Sequence, residues 1–399
     1  MLNATNSRPL ILSAIMLALS LFIVKPSYCR QSMPPDNGVK PTTPPISDQK
    51  AVLFIGQDSG SILDYARAVP EDTLEGITLY TMIKHRSPEQ TFQGLRESAD
   101  WGAGKVDIPA TIAITPLAAV AIGLAFDSCN QPDHSTRIAS GAYDDSVDYL
   151  ARTLANMTPR PVFLRIGYEF DGPWNCYSPD TYKASFRKIA MALHRHQATN
   201  VVTVWQSATW PAPEIAGARR ALYDHSEPGF LNRWYPGDDV VDWIGMSVFY
   251  RDLHQWSEKP SGTPMQAQAS LLTFARARNK PVLIAEAAPQ AYRTGALTRA
   301  YINKNTPEKV TANEIWQSWY QPLFSFINDN RDVVKGLAYI NAQWESQPMW
   351  HCKEGAQAGE PECPQGNWGD TRIQANEIIK NKWLNEVTDS TRWVQGKWW

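Results

Sequence analysis

The chain has 399 residues, enough for one large α/β barrel with an extra N-terminal segment, and more than one small domain needs. Lys and Arg together number 38 against 40 Asp and Glu, which leaves no charge excess to hold a nucleic acid or an anionic membrane surface. The 16 Trp, 15 Tyr and 12 Phe point instead to a neutral partner that stacks on flat rings, as the C–H faces of sugars do, although any single Trp can equally serve a core.

From the N-terminus, Pro9 to Val24 form an uncharged apolar run after Arg8, closed by Lys25 and Pro26. The run is shorter than the roughly 20 residues of a membrane span and fits the apolar core of a signal peptide. Residues 1–29 are therefore expected to direct export, with Ser27 and Cys29 as small residues near a cleavage site; acylation of Cys29 as a membrane anchor is the alternative. Residues 30–49 are proline-rich and almost without bulky apolar side chains, the composition of a linker. Residues 50–399 are left as one catalytic domain.

In that domain, short β-branched apolar runs alternate with longer helical stretches, the pattern of βα units around a parallel sheet. Strands are predicted at Ala51–Ile55, Ile77–Met82, Ala119–Phe126, Val162–Ile166, Val201–Trp205, Val241–Val248, Val282–Ala285 and Gly336–Ile340. The fourth to seventh begin about 40 residues apart, room for one strand, one helix and two loops, and helices are predicted at Asp145–Asn156 and Thr181–His196. Ile108–Ile114 competes for the third position. The eight strands predict a (β/α)8 TIM barrel. A doubly wound open sheet is disfavoured because Ile55 to Gly60 has neither GxGxxG spacing nor a P-loop lysine.

Four cysteines remain if Cys29 is lost or modified, an even number that suits two disulfides in an oxidising compartment. Cys352 and Cys363 flank a polar stretch, so a bridge there would pin a loop, and Cys129 would then pair with Cys176; the spacing does not by itself exclude other pairings. No Cys-x-x-Cys or His-x-x-x-His spacing marks a metal site, and no cofactor is expected.

Barrel chemistry sits at the C-terminal ends of the strands. Two glutamates stand there: Glu169 after the fourth strand in R-I-G-Y-E-F-D-G-P-W, and Glu286 after the seventh in P-V-L-I-A-E-A-A. A carboxylate ending so apolar a run loses hydration, so it needs either a buried partner or a chemical role. Glycosidic cleavage uses two such groups, one to protonate the leaving oxygen and one to attack carbon or activate water. On facing strands of a narrow barrel they would stand about 5 to 5.5 Å apart, the retaining geometry. Glu169 is then expected to be the acid/base and Glu286 the nucleophile.

The segment Arg165 to Trp174 resembles the fourth-strand motif of glycoside hydrolase family 26, and the surroundings of Glu286 and the run V-V-D-W-I-G-M-S-V-F-Y are similar to that family as well. The resemblance implies that Tyr250 hydrogen-bonds the nucleophile and that Trp344 lies under the sugar being cleaved. Tyr168 stands where mannanases of the family typically carry His, which leaves the sugar open among β-mannan, β-1,3-xylan and mixed-linkage β-glucan. Further substrate contacts are expected from Arg165, Asp171, Trp174, Trp205 and Asn341, with Trp210 extending the wall after Gln206. The expected partner is thus a polysaccharide or oligosaccharide. A carbohydrate-binding barrel without turnover, and a hydrolase of a bacterial exopolysaccharide, are the alternatives; oligomeric state is not set by the sequence.

Overall fold

The computed structural model describes residue 46 and residues 50–70, 74–84, 87–130, 134–212, 215, 217–249 and 262–399. The expected export segment and nearly all of the linker lie outside these residues. Eight parallel strands close a barrel in which each strand pairs with its sequence neighbours and the last returns to the first. They are β1 (Val52–Gly56), β2 (Gly76–Met82), β3 (Ala119–Ala125), β4 (Val162–Ile166), β5 (Val201–Ser207), β6 (Trp243–Val248), β7 (Val282–Ala287) and β8 (Val334–Ile340). Both faces of these strands are covered, one by helices and one by the barrel interior, which is why they read as continuous apolar runs.

Ile108–Ile114, the competitor for the third strand, is a helix. Asp107 caps it by accepting from the Ala110 amide, and Pro109 occupies its first turn, where no donor is needed. The two helices expected from periodicity occur at Asp144–Ala155 and Pro179–Arg195. Both expected disulfides are present, Cys129–Cys176 joining the loops after β3 and β4, and Cys352–Cys363 closing a loop after β8.

The lower barrel interior is apolar. Phe163 meets Phe54 and Trp243 edge to face, with centroids 5.1 Å apart in both pairs, while Ala119, Ala121 and Ala338 fill the narrower gaps between strands. The C-terminal tail covers this end of the barrel. Val394 and Trp398 pack on the interior cluster, and the Trp398 indole donates to the carbonyl of Glu75 just before β2. Trp393 packs among the outer residues beside Phe324, and the Trp399 indole donates to the Leu117 carbonyl before β3. The tail thus covers the N-terminal end of the strands as well as the outer helices. Trp398→Ala is expected to cost about 2 kcal/mol through lost packing against Phe163, read as a lower unfolding midpoint in denaturant.

Candidate active site

Side chains alternate along each strand, so the inward positions can be followed upward from the apolar layer. Phe163 on β4 is followed two residues later by Arg165, and Val204 on β5 by Gln206. Strand β7 breaks this rhythm. Leu283 and Ala285 face inward with the interior cluster, so regular alternation would turn Glu286 outward. A register shift against β6, where Met246 pairs with Ile284 but Ser247 with Glu286, inserts one extra residue, and β8 shows the matching shift. This bulge swings Glu286 back into the barrel, the kind of re-aiming that bulges produce beside functional sites.

Arg165 is fully buried. Its Nη1 donates to Glu286 Oε1 at 2.8 Å and to Gln206 Oε1 at 3.2 Å, and its Nη2 donates to Thr78 Oγ1 at 3.0 Å. The guanidinium also lies 4.7 Å from the Tyr80 ring centroid and 5.6 Å from that of Tyr168. Gly123 on β3 makes room for this stack, since a Cβ there would come within 2.6 Å of the Tyr80 ring. Arg165 therefore anchors the second carboxylate, Glu286, and does not contact Glu169.

Glu169 follows β4 with φ of 50°, a left-handed backbone that a residue with a side chain adopts only when its surroundings hold it. The Asn175 amide donates to the carbonyls of Tyr168 and Glu169 at 3.0 and 2.9 Å, and the Gly172 amide donates to the Glu169 carbonyl at 2.8 Å. Its carboxylate accepts from Ser247 Oγ at 2.6 Å and from the Trp174 indole at 2.9 Å. Gly172 is required for the second contact, because a Cβ there would lie 2.5 Å from the folded-back indole. Burial, then the charge of Glu286, push the Glu169 carboxyl up to about 8, against the pull of Ser247 and Trp174. The two carboxylates are joined through hydrogen bonds: Gln206 Nε2 donates to Glu286 Oε1 at 3.3 Å and to Ser247 Oγ at 3.2 Å, and Ser247 donates to Glu169.

Both carboxylates open into a cavity of about 710 Å³ at the C-terminal end of the barrel. Its wall includes the indoles of Trp101, Trp174, Trp210, Trp344, Trp350 and Trp368, and among the described lining residues Glu169 and Glu286 are the only charged ones. Gln57 Nε2, Gln268 Oε1, Gln290 Oε1 and the indole nitrogens of Trp101 and Trp350 are buried along this wall without a partner among the described residues. The remaining described wall is made largely of flat rings with neutral polar side chains between them.

Of the residues singled out in the sequence, Glu169, Glu286, Tyr168, Trp174, Trp210 and Trp344 line the cavity. Trp344 packs against Trp368 and Trp350, and its indole nitrogen donates to Thr371 Oγ1 at 3.0 Å. Four expected substrate contacts lie elsewhere, Arg165 among them in the buried layer described above. Asp171 has no exposed surface and accepts from Ser207 Oγ at 2.5 Å and the Ala208 amide at 2.6 Å, with His225 Nε2 at 3.1 Å, so it ties the turn after β4 to the end of β5. Trp205 faces outward and stacks on Phe170 at 4.4 Å. Asn341 is buried, bonded to Gln374 and to the Ile373 amide, and holds the C-terminal segment. Tyr250 lies outside the described residues. Gln206 and Ser247 carry more of the site than their sequence positions announced; their inward alternation was the available signal.

No protein-family model matches the chain. It is 33% identical over 347 residues to the β-1,3-xylanase TXYA of a Vibrio species, covering 86% of this chain and 66% of that protein. It is 31% identical over 345 residues to a β-1,3-xylanase of an Alcaligenes species, covering 86% and 64%. The chain thus spans just under two thirds of the length of these relatives. Among solved structures, a glycoside hydrolase family 26 β-mannanase from Bacteroides ovatus superposes with a TM-score of 0.50 at 13% identity, covering 87% of this chain and 91% of that one. An endo-β-1,4-mannanase from Cellulomonas fimi superposes with a TM-score of 0.51 at 12% identity, covering 86% and 72%. These structural likenesses establish the barrel fold.

Arg165→Met is expected to lower folding stability by about 3 to 5 kcal/mol, because it strands the Glu286 carboxylate among buried groups. Denaturant unfolding at neutral pH checks this, and a loss under about 1 kcal/mol would show that the pair is not what holds the layer.

Proposed function

We propose that this (β/α)8 barrel is a glycoside hydrolase family 26-like enzyme, an exported retaining hydrolase of a neutral β-linked glycan, with β-1,3-xylan as the substrate. The observation that carries this reading is the pair of buried carboxylates joined through Gln206 and Ser247 at the floor of an aromatic cavity whose other described lining residues are uncharged. The 33% and 31% identity to β-1,3-xylanases supports the choice of xylan over mannan, since the mannanase likeness is one of fold. Export is supported by the apolar run Pro9–Val24 and by two disulfides, which persist in oxidising compartments.

In this reading the sugar at the cleavage point lies over Trp344, between the two glutamates. Glu169 enters the reaction protonated, because burial and the neighbouring carboxylate hold its proton through neutral pH. It donates that proton to the glycosidic oxygen while a Glu286 carboxylate oxygen bonds to the anomeric carbon and the C–O pair leaves with the departing sugar. The hydrogen bonds that Glu286 receives from described residues fall on Oε1, which leaves Oε2 for the sugar. Glu169, now a carboxylate, takes a proton from water, and the resulting hydroxide equivalent releases the glycosyl group with its original configuration.

An anionic exopolysaccharide fits less well, because no cation among the described lining residues would balance it. A barrel that only binds glycan gives no account of a carboxyl kept protonated beside a second carboxylate.

Reducing-sugar release from β-1,3-xylan, β-mannan and mixed-linkage β-glucan is expected to be highest on β-1,3-xylan, and Glu286→Gln is expected to abolish it. Glu169→Gln should reduce the rate by about 10²- to 10⁴-fold. Equal rates in wild type and both variants would end the hydrolase reading. The raised carboxyl also fixes a sign: kcat/KM should fall as pH rises through the Glu169 value near 8, because the acid form is the active one. A profile that keeps rising through that range would remove Glu169 from the acid role.

A further inference from the structure

The geometry points to a one-way hydrogen-bond relay, Arg165 to Gln206 to Ser247 to Glu169, in which Ser247 is a positioning residue that assigns the catalytic proton to Oε2 of Glu169. This inference rests on the acid role proposed above for Glu169.

The direction of the relay follows from what each group can donate. A guanidinium has donors only, so the Gln206 atom facing Arg165 Nη1 at 3.2 Å is the amide oxygen. The amide nitrogen then faces Glu286 Oε1 and Ser247 Oγ, at 3.3 and 3.2 Å. Flipping the amide would set its oxygen against the Glu286 carboxylate and its NH2 against the guanidinium, two repulsions in a buried layer. Ser247 therefore accepts from Gln206, and its single proton is left for Glu169 Oε1 at 2.6 Å. Ser247 is itself buried.

Because Oε1 is held as an acceptor, the transferable proton belongs on Oε2. That oxygen is on the side of Trp174, whose half-exposed indole forms part of the cavity wall and donates to Oε2 at 2.9 Å. A protonated Oε2 can still accept there while its O–H points to the glycosidic oxygen. As that O–H bond breaks, the proton goes to the leaving oxygen, and the C–O pair stays on that oxygen while the Glu286 carboxylate closes on carbon. The charge that appears on Glu169 then meets two donors already in place, Ser247 and Trp174.

Among the described residues, the other ionisable groups around Glu169 are Glu286 on β7, Arg165 on β4, Asp171 on the same turn with His225 behind it, Tyr80 on β2, and Tyr168 and Tyr177. Burial, Glu286 and Asp171 raise the Glu169 carboxyl, and Ser247 and Trp174 lower it.

The test compares wild type with Ser247→Ala, Ser247→Thr and Gln206→Met, all checked for cooperative unfolding. Ser247→Ala removes a donor to the carboxylate form, so the alkaline limb of kcat/KM should move up by about one pH unit or more. Hydrolysis of xylan should slow by about tenfold, whereas aryl glycosides with leaving groups that need no acid should slow little. Ser247→Thr keeps the hydroxyl and should restore both readouts. Gln206→Met frees that hydroxyl to turn, should give a smaller shift of the same sign, and carries the test if Ser247→Ala fails to fold. An alkaline limb that stays in place in a folded Ser247→Ala or Gln206→Met protein overturns the relay. Carbon-13 titration of labelled glutamate, with Glu169 assigned through Glu169→Gln, reads the same shift without turnover. An upward shift in a protein inactive on every glycan would support the relay and sink the hydrolase reading, whereas an active enzyme without the shift would sink the relay alone.

Discussion

A guanidinium cut off from water occupies the centre of the barrel's upper layer, and the geometry of the site follows from the partners its two Nη atoms hold. Burying a cation is costly unless it is paired and hydrogen-bonded. Arg165 has Glu286 from β7, Gln206 from β5 and Thr78 from β2, together with the faces of Tyr80 and Tyr168. One side chain thus fixes groups from three other strands. Through Gln206 and Ser247 its influence extends to Glu169, so two carboxylates on different strands are oriented by one positive charge.

Most of the fold was legible in the sequence because barrel strands are buried on both faces and stand out as uninterrupted apolar runs. All eight strands were placed, with β5 and β7 extending two residues beyond the predicted ends. The ambiguous run Ile108–Ile114 resolves through Asp107 and Pro109, which begin a helix and would interrupt a central strand. The two catalytic candidates were legible for the same reason as the strands, since an acid at the end of an apolar run is conspicuous.

What the sequence hid was which way side chains face. Asp171, Trp205 and Asn341 all stand near strand ends, yet each turns into structure instead of the cavity. Glu286 would face outward by simple alternation, and only the bulge in β7 brings it inside. Gln206 and Ser247 sit on inward registers that alternation does give, but a neutral side chain there announces nothing until Arg165 and Glu169 are seen on either side. The cavity walls also draw on segments far apart in the chain, from Trp101 after β2 to Trp368 beyond β8, with the Cys352–Cys363 loop contributing Ala358.

In the proposed function one buried cation orients two acids, Glu286 directly and Glu169 through Gln206 and Ser247, to open a neutral acetal. Trapping tests that description most directly. A β-1,3-linked xylobiosyl fluoride bearing fluorine at C2 slows both steps but spares the first more than the second, so a covalent glycosyl-enzyme should accumulate and be located by peptide mass mapping. A single adduct on Glu286, absent from Glu286→Gln, is the expected result; an adduct on any other residue, or turnover of the donor with inversion of configuration, would contradict the account.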